Sequence, residues 1–102
     1  MTSEDNKPKW DVALASLAND AYHRKAAPLK LEDFHDLARE HSTRLDDIME
    51  TIFLLTINRQ WKYYDAAGQE QQLEQETLDG LYVKRRLSEK DLSVFDGGWQ
   101  PV

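Results

Sequence analysis

The sequence predicts a small α+β domain made of three N-terminal helices, a short antiparallel hairpin and a C-terminal helix. Three observations carry that expectation. Apolar residues recur at helical spacing through the first half of the chain. An aromatic run followed by a glycine-bearing turn, "WKYYDAAGQ", reads as a hairpin. Ser88, with Asp91 three residues on, reads as a late helix start. At 102 residues the chain can bury one core but not two. The expected organisation is a flexible N-terminus over 1–7, a globular domain over 8–96 and a C-terminal tail over 97–102.

The first helix is expected from Pro8, which suits a first turn because its missing N–H would have no intrahelical partner there. Trp10, Ala13, Leu14, Leu17 and Ala21 form its apolar face. "AAPL" ends it near Lys25, since the residue before Pro28 avoids the helical region. Leu31, Phe34, Leu37, Ala38 and His41 make the second periodic set, with Glu32, Asp33 and Asp36 in the turns where the helix dipole favours negative charge. This helix should stop at His41, its ring partly buried.

"HSTR" then reads as a tight break, with Ser42 or Thr43 as N-cap of the third helix and Asp46 completing an approximate capping box. Leu45, Ile48, Met49, Ile52 and Thr56 lie along one face; Arg44, Asp47, Glu50, Thr51, Leu54 and Asn58 lie opposite. "IFLLTI", Ile52 to Ile57, is apolar nearly all round, so either the C-terminal segment or a second subunit must cover Leu54 and Ile57.

In the hairpin, alternation places Trp61 and Tyr63 in the core and leaves Tyr64 more exposed, with a weak return strand to about Leu73. Residues 77–87 stay open between helix and strand: Leu78, Leu81 and Tyr82 suit a helix, Gly80 costs one about 1 kcal/mol, and "LYVKRR" reads as a strand. A short helix from Ser88 should carry Leu92 and Phe95 and close at Gly97 and Gly98. Trp99 then either folds back onto the domain or is held for a partner.

The order helix, helix, tight break, longer helix, hairpin, from Ala13 to Leu73, resembles the winged helix-turn-helix class. That resemblance implies that the helix after the break reads DNA through Thr43, Arg44, Asp47, Glu50 and Thr51, with the hairpin as the wing.

The charges point elsewhere. The net charge is -6 and the pI near 4.9. Such a balance disfavours non-specific adhesion to nucleic acid or anionic membrane. The third helix offers Arg44 against Asp46, Asp47 and Glu50, a poor set for neutralising phosphate. The leading expectation is therefore a non-enzymatic interaction module acting on a protein partner or as a homodimer, through Leu54, Ile57, Tyr64 and Trp99. The alternative is a DNA-binding regulator using Thr43, Arg44, Lys62 and the basic run Lys84, Arg85 and Arg86. That run has an ordinary surface reading too, as a solvated face offsetting Glu74, Glu76 and Asp79.

Enzyme chemistry finds little footing. There is no cysteine, which removes disulfides, thiolate nucleophiles and Cys-type zinc sites. His35 and His41 are not at the i, i+4 spacing of a metal pair, and no glycine-rich phosphate loop is present. Asp36 with Arg39, and Glu40 with Arg44, read as surface pairs. No cofactor, metal or small-molecule substrate is expected. No apolar run approaches a membrane span of roughly 20 residues, the N-terminus lacks a signal-like apolar segment, and the cytoplasm is the expected compartment.

Overall fold

A computed structural model describes residues 10–84 and 86–102. The expected flexible segment 1–7, the helix start at Pro8, and Arg85 lie outside them. The described chain is an α+β domain: helices α1 (Val12–Lys25), α2 (Leu31–Glu40) and α3 (Leu45–Ile57), strands β1 (Trp61–Tyr64) and β2 (Glu70–Gln71), helix α4 (Gln75–Asp79), strands β3 (Tyr82–Val83) and β4 (Arg86–Leu87), helix α5 (Glu89–Leu92) and strand β5 (Gly98–Pro101). Residues 77–87, open between helix and strand in the sequence, contain the end of α4 followed by the small β3–β4 hairpin.

Each helix boundary has a local cause. The carboxylate of Asp11 accepts from the Leu14 N–H at 3.1 Å and caps α1, so the helix begins at Val12 and Trp10 lies outside it. Ala13, assigned to the buried face, is exposed. The helix ends as Ala26 turns left-handed, φ 58°, ahead of Pro28. Asp33 accepts from the Lys30 N–H at 2.8 Å and from Lys25 Nζ at 2.6 Å, which caps α2 and ties it to the end of α1.

The "HSTR" break differs from the expectation. Ser42 is not an N-cap but the left-handed residue, φ 51°, that closes α2. Its N–H reaches Arg39 O and that of Thr43 reaches Ala38 O at 3.0 Å, the pairing of a Schellman closure. Arg44 takes the N-cap position with no side-chain cap, and His41 is exposed, not partly buried. The same closure recurs after α3, with Arg59 left-handed at φ 64° and Gln60 N–H reaching Leu55 O at 2.8 Å.

The core is centred on α3, where Ile48, Met49, Ile52, Phe53 and Leu55 are buried. Thr51, expected on the open side, is buried as well, and its hydroxyl is satisfied by Asp47 O at 2.9 Å. In the hairpin Asp65 organises the turn: its carboxylate accepts from the Gln69 N–H, Gln71 Nε2 and the Ala67 N–H, while Gly68 adopts φ 84°. These bonds, that from the Gln69 N–H foremost, hold the Asp65 carboxyl below its ordinary pKa. The stabilisation is present above the ordinary carboxylate range and fades as pH falls through the lowered value.

Residues 97–102 are not a tail. They supply β5, which pairs antiparallel with β1 along its whole length and makes β1 the middle strand of a sheet ordered β2-β1-β5. Leu29 bridges the far side of β5, exchanging hydrogen bonds with Trp99 at 2.8 Å each way. Trp99 is 0 % exposed, with its ring 4.4 Å from Tyr63, 5.6 Å from Phe34 and 5.9 Å from Phe53 between centroids. It has folded back and offers a partner no surface. The last helix is shorter than expected, stopping at Leu92, and Phe95 beyond it stacks edge-on against Phe53 and Tyr63.

Gly97 and Gly98 are strand-entry residues, not a helix closure. The backbone of Gly97 passes so close to the Tyr64 carbonyl and the Asp65 main chain that a Cβ has no room, and a Cβ on Gly98 would sit 2.7 Å from Pro28 Cβ. Gly97→Ala should therefore destabilise the protein by about 3 kcal/mol or more, read as a lowered urea midpoint. At Ser42, open on the surface in a left-handed conformation, Ser42→Gly should raise stability by about 0.5–1 kcal/mol in the same measurement.

Candidate protein-interaction site

The site is built on the side of α3 that the fold leaves open. Asp47 and Glu50 are exposed there, one turn apart, with Leu54 a turn further and half-buried, and Ile57 half-buried at the helix end. Leu54 and Ile57 both pack in part against the core, so the fold covers one side of each and leaves the other to solvent.

Around the first turn of α3, Asp46 is a junction that sequence reasoning missed. Its carboxylate accepts from Arg44 at 3.0 Å and from the Leu87 N–H at 3.3 Å, and lies 3.8 Å from Arg86 Nε; its carbonyl accepts from the Tyr82 hydroxyl at 3.0 Å. One residue thus pins the β3–β4 hairpin onto the start of α3. Burial, then the negative charges of Glu50, Asp46 and Asp47, push the Tyr82 hydroxyl up to about 12. No local signal marks this contact, because its partners are 36 to 41 residues apart.

The remaining sequence-picked residues fall in separate places. Tyr64 is half-buried and forms one wall of an open groove of about 600 Å³ with Ala27, Pro28, Ala66, Gly97 and Gly98, which neither Leu54 nor Ile57 lines. Arg44 and Arg86 come together at Asp46, Lys84 is exposed in the hairpin turn with φ 52°, and Thr43 is half-buried beside Arg44. Lys62 lies on β1, 3.9 Å from Glu70. Arg85 lies outside the described residues. The surface pair Asp36–Arg39 forms; Arg44 pairs with Asp46 and not with Glu40. Among the described residues no group of three or more His, Cys, Asp or Glu is placed to hold a metal ion, and no helix is long and apolar enough to cross a membrane.

Comparison with protein families, curated proteins and solved structures finds no match.

Removing the Tyr82 hydroxyl tests the junction. Tyr82→Phe should cost about 1 kcal/mol of stability near neutral pH. Because the folded pKa lies above the ordinary value near 10, that tyrosine's contribution is full below pH 10 and is lost as pH rises toward 12. An ultraviolet titration should show the tyrosine signal that ionises near 12 fall by one residue in the variant.

Proposed function

We propose that the chain is a non-catalytic interaction module of winged-helix type that meets a protein partner, or a second copy of itself, along the open side of α3. The observation that carries this reading is the make-up of that side: two exposed carboxylates, Asp47 and Glu50, running into half-covered Leu54 and Ile57 on a helix whose other residues are largely enclosed. Acids there disfavour a phosphate surface, and aliphatic side chains left half-covered gain by contact with another apolar surface at roughly 25 cal/mol per Å² removed from water. On this reading the protein needs no cofactor or small-molecule substrate, and its acidic, cysteine-free chain suits the cytoplasm.

A second reading, a DNA-binding regulator, draws on one specific observation. Arg44 and Arg86, distant in sequence, come together at the start of α3, and Lys84 is exposed in the turn of the hairpin that carries Arg86; cations so placed are suited to backbone phosphates. It ranks second because Asp46 lies between the two guanidinium groups and Asp47 and Glu50 follow within the next turns.

Leu54→Asp separates the two. With the thermal midpoint within a few degrees of the parent, the substitution should abolish self-association in sedimentation, or partner binding where the parent is a monomer. DNA retardation that weakens steeply with salt and disappears in the Lys84→Glu, Arg86→Glu double variant, while Leu54→Asp changes nothing, would reverse the ranking.

A further inference from the structure

A different surface lies at the end of β1 that β2 leaves unpaired. β5 pairs with all four residues of β1, but β2 pairs only with Tyr63 and Tyr64. In an antiparallel strand successive residues send their N–H and C=O to opposite sides. The Gln60 carbonyl accepts from the Val102 N–H at 3.0 Å, so Gln60, Lys62 and Tyr64 face β5. The Asp65 N–H donates to Gln69 O at 2.9 Å, so Asp65, Tyr63 and Trp61 face the β2 side. No residue of β2 stands opposite Trp61, because the chain leaves the sheet after Gln71 and sends Leu73 into the core. The main-chain donor and acceptor of Trp61 are thus directed one ladder step past the end of β2.

Trp61 also lines a groove of about 340 Å³, together with Thr56, Arg59, Lys62, Glu70, Gln72 and Leu73. That volume falls at the small end of the range for ligand sites, about 300–1,000 Å³. Two cations, Arg59 and Lys62, stand on the rim against one acid, Glu70, so Arg59 leaves it with a net positive charge. Arg59 is exposed, makes no ion pair among the described residues, and occupies a left-handed position that favours glycine. Lys62 stands on the strand itself, 3.9 Å from Glu70.

We infer that this groove accepts an extended, acidic segment of a partner protein, which continues the position of β2 and adds a ladder step to β1 at Trp61. The main chain of such a segment pairs with the Trp61 N–H and C=O, and its alternate side chains bring a carboxylate to Arg59. This site is independent of the α3 face.

The probe is a short blocked peptide of alternating glutamate and valine, added to the full-length ¹⁵N-labelled protein, with the lysine-for-glutamate peptide as control. The Trp61 and Gln72 amides should shift, and the Trp61 amide should exchange with water about tenfold more slowly at saturation. The lysine peptide should bind about tenfold more weakly, and Arg59→Gly should weaken the glutamate peptide by a similar factor while unfolding at higher urea than the parent. Arg59→Gly separates loss of the cation from loss of the fold, because the glycine relieves the left-handed strain. No amide shift with either peptide at millimolar concentration overturns the site, as does equal binding of the two peptides. Strong protection of the Trp61 amide in the free monomer also overturns it. Protection that grows with protein concentration alone assigns the edge to a second copy and overturns the acidic-partner proposal.

Discussion

The structure depends on the burial of Trp99 in the angle between α2, α3 and β1. A fully enclosed indole in contact with Phe34, Phe53 and Tyr63 ties three elements to the last strand; its truncation to alanine would forfeit about 3–5 kcal/mol, a large share of the stability of a domain this size. The ring reaches that place only because Gly97 and Gly98 let the main chain pass against Tyr64, Asp65 and Pro28. Tyr63 completes the arrangement: its hydroxyl accepts from the Gly97 N–H at 3.1 Å while its ring stacks on the indole. The buried indole N–H of Trp99 has no hydrogen-bond partner among the described residues.

That central packing governs what α3 can present. Because α1, α2 and β1 all pack on it, α3 keeps a narrow open strip, and the β3–β4 hairpin is fastened across its first turn by Asp46. A single acid therefore serves two purposes. It lies near the helix N-terminus, where the dipole favours it, and it accepts from the hairpin's Leu87 N–H, which would otherwise lack a partner at that point. The guanidinium groups of Arg44 and Arg86 are drawn to the same carboxylate, so charge placement at this end of the molecule is set by the junction as much as by any ligand.

Backbone strain is distributed unevenly. Ala26, Ser42, Arg59 and Lys84 all hold left-handed conformations without being glycine, each at the end of a helix or in a hairpin turn. Helix closure explains why the conformation is needed at the first three. It does not explain the residue chosen, and Ser42 and Arg59 remain places where side-chain chemistry has been kept at a cost in backbone energy.

The sequence by itself determined the local elements whose causes are local. Periodicity marked α2 and the core face of α3, Pro28 marked the end of α1, Ser88 marked the start of α5, and "WKYYDAAG" marked β1 with its turn. It also determined the inward direction of Trp61 and Tyr63. The tertiary structure alone decided the rest. Serine and arginine in left-handed closures carry no glycine signal, so the "HSTR" turn read as a cap. Two glycines before a tryptophan read as a helix end, because the close main-chain approach that requires them comes from Tyr64, more than thirty residues earlier in the sequence. Thr51 read as exposed because α3 is enclosed on more sides than one stripe of apolar residues can announce. The candidate surfaces were legible only in part. Leu54 was picked from its position on the helix, whereas the Asp46 junction and the open edge at Trp61 exist only once strands distant in sequence have paired or failed to pair.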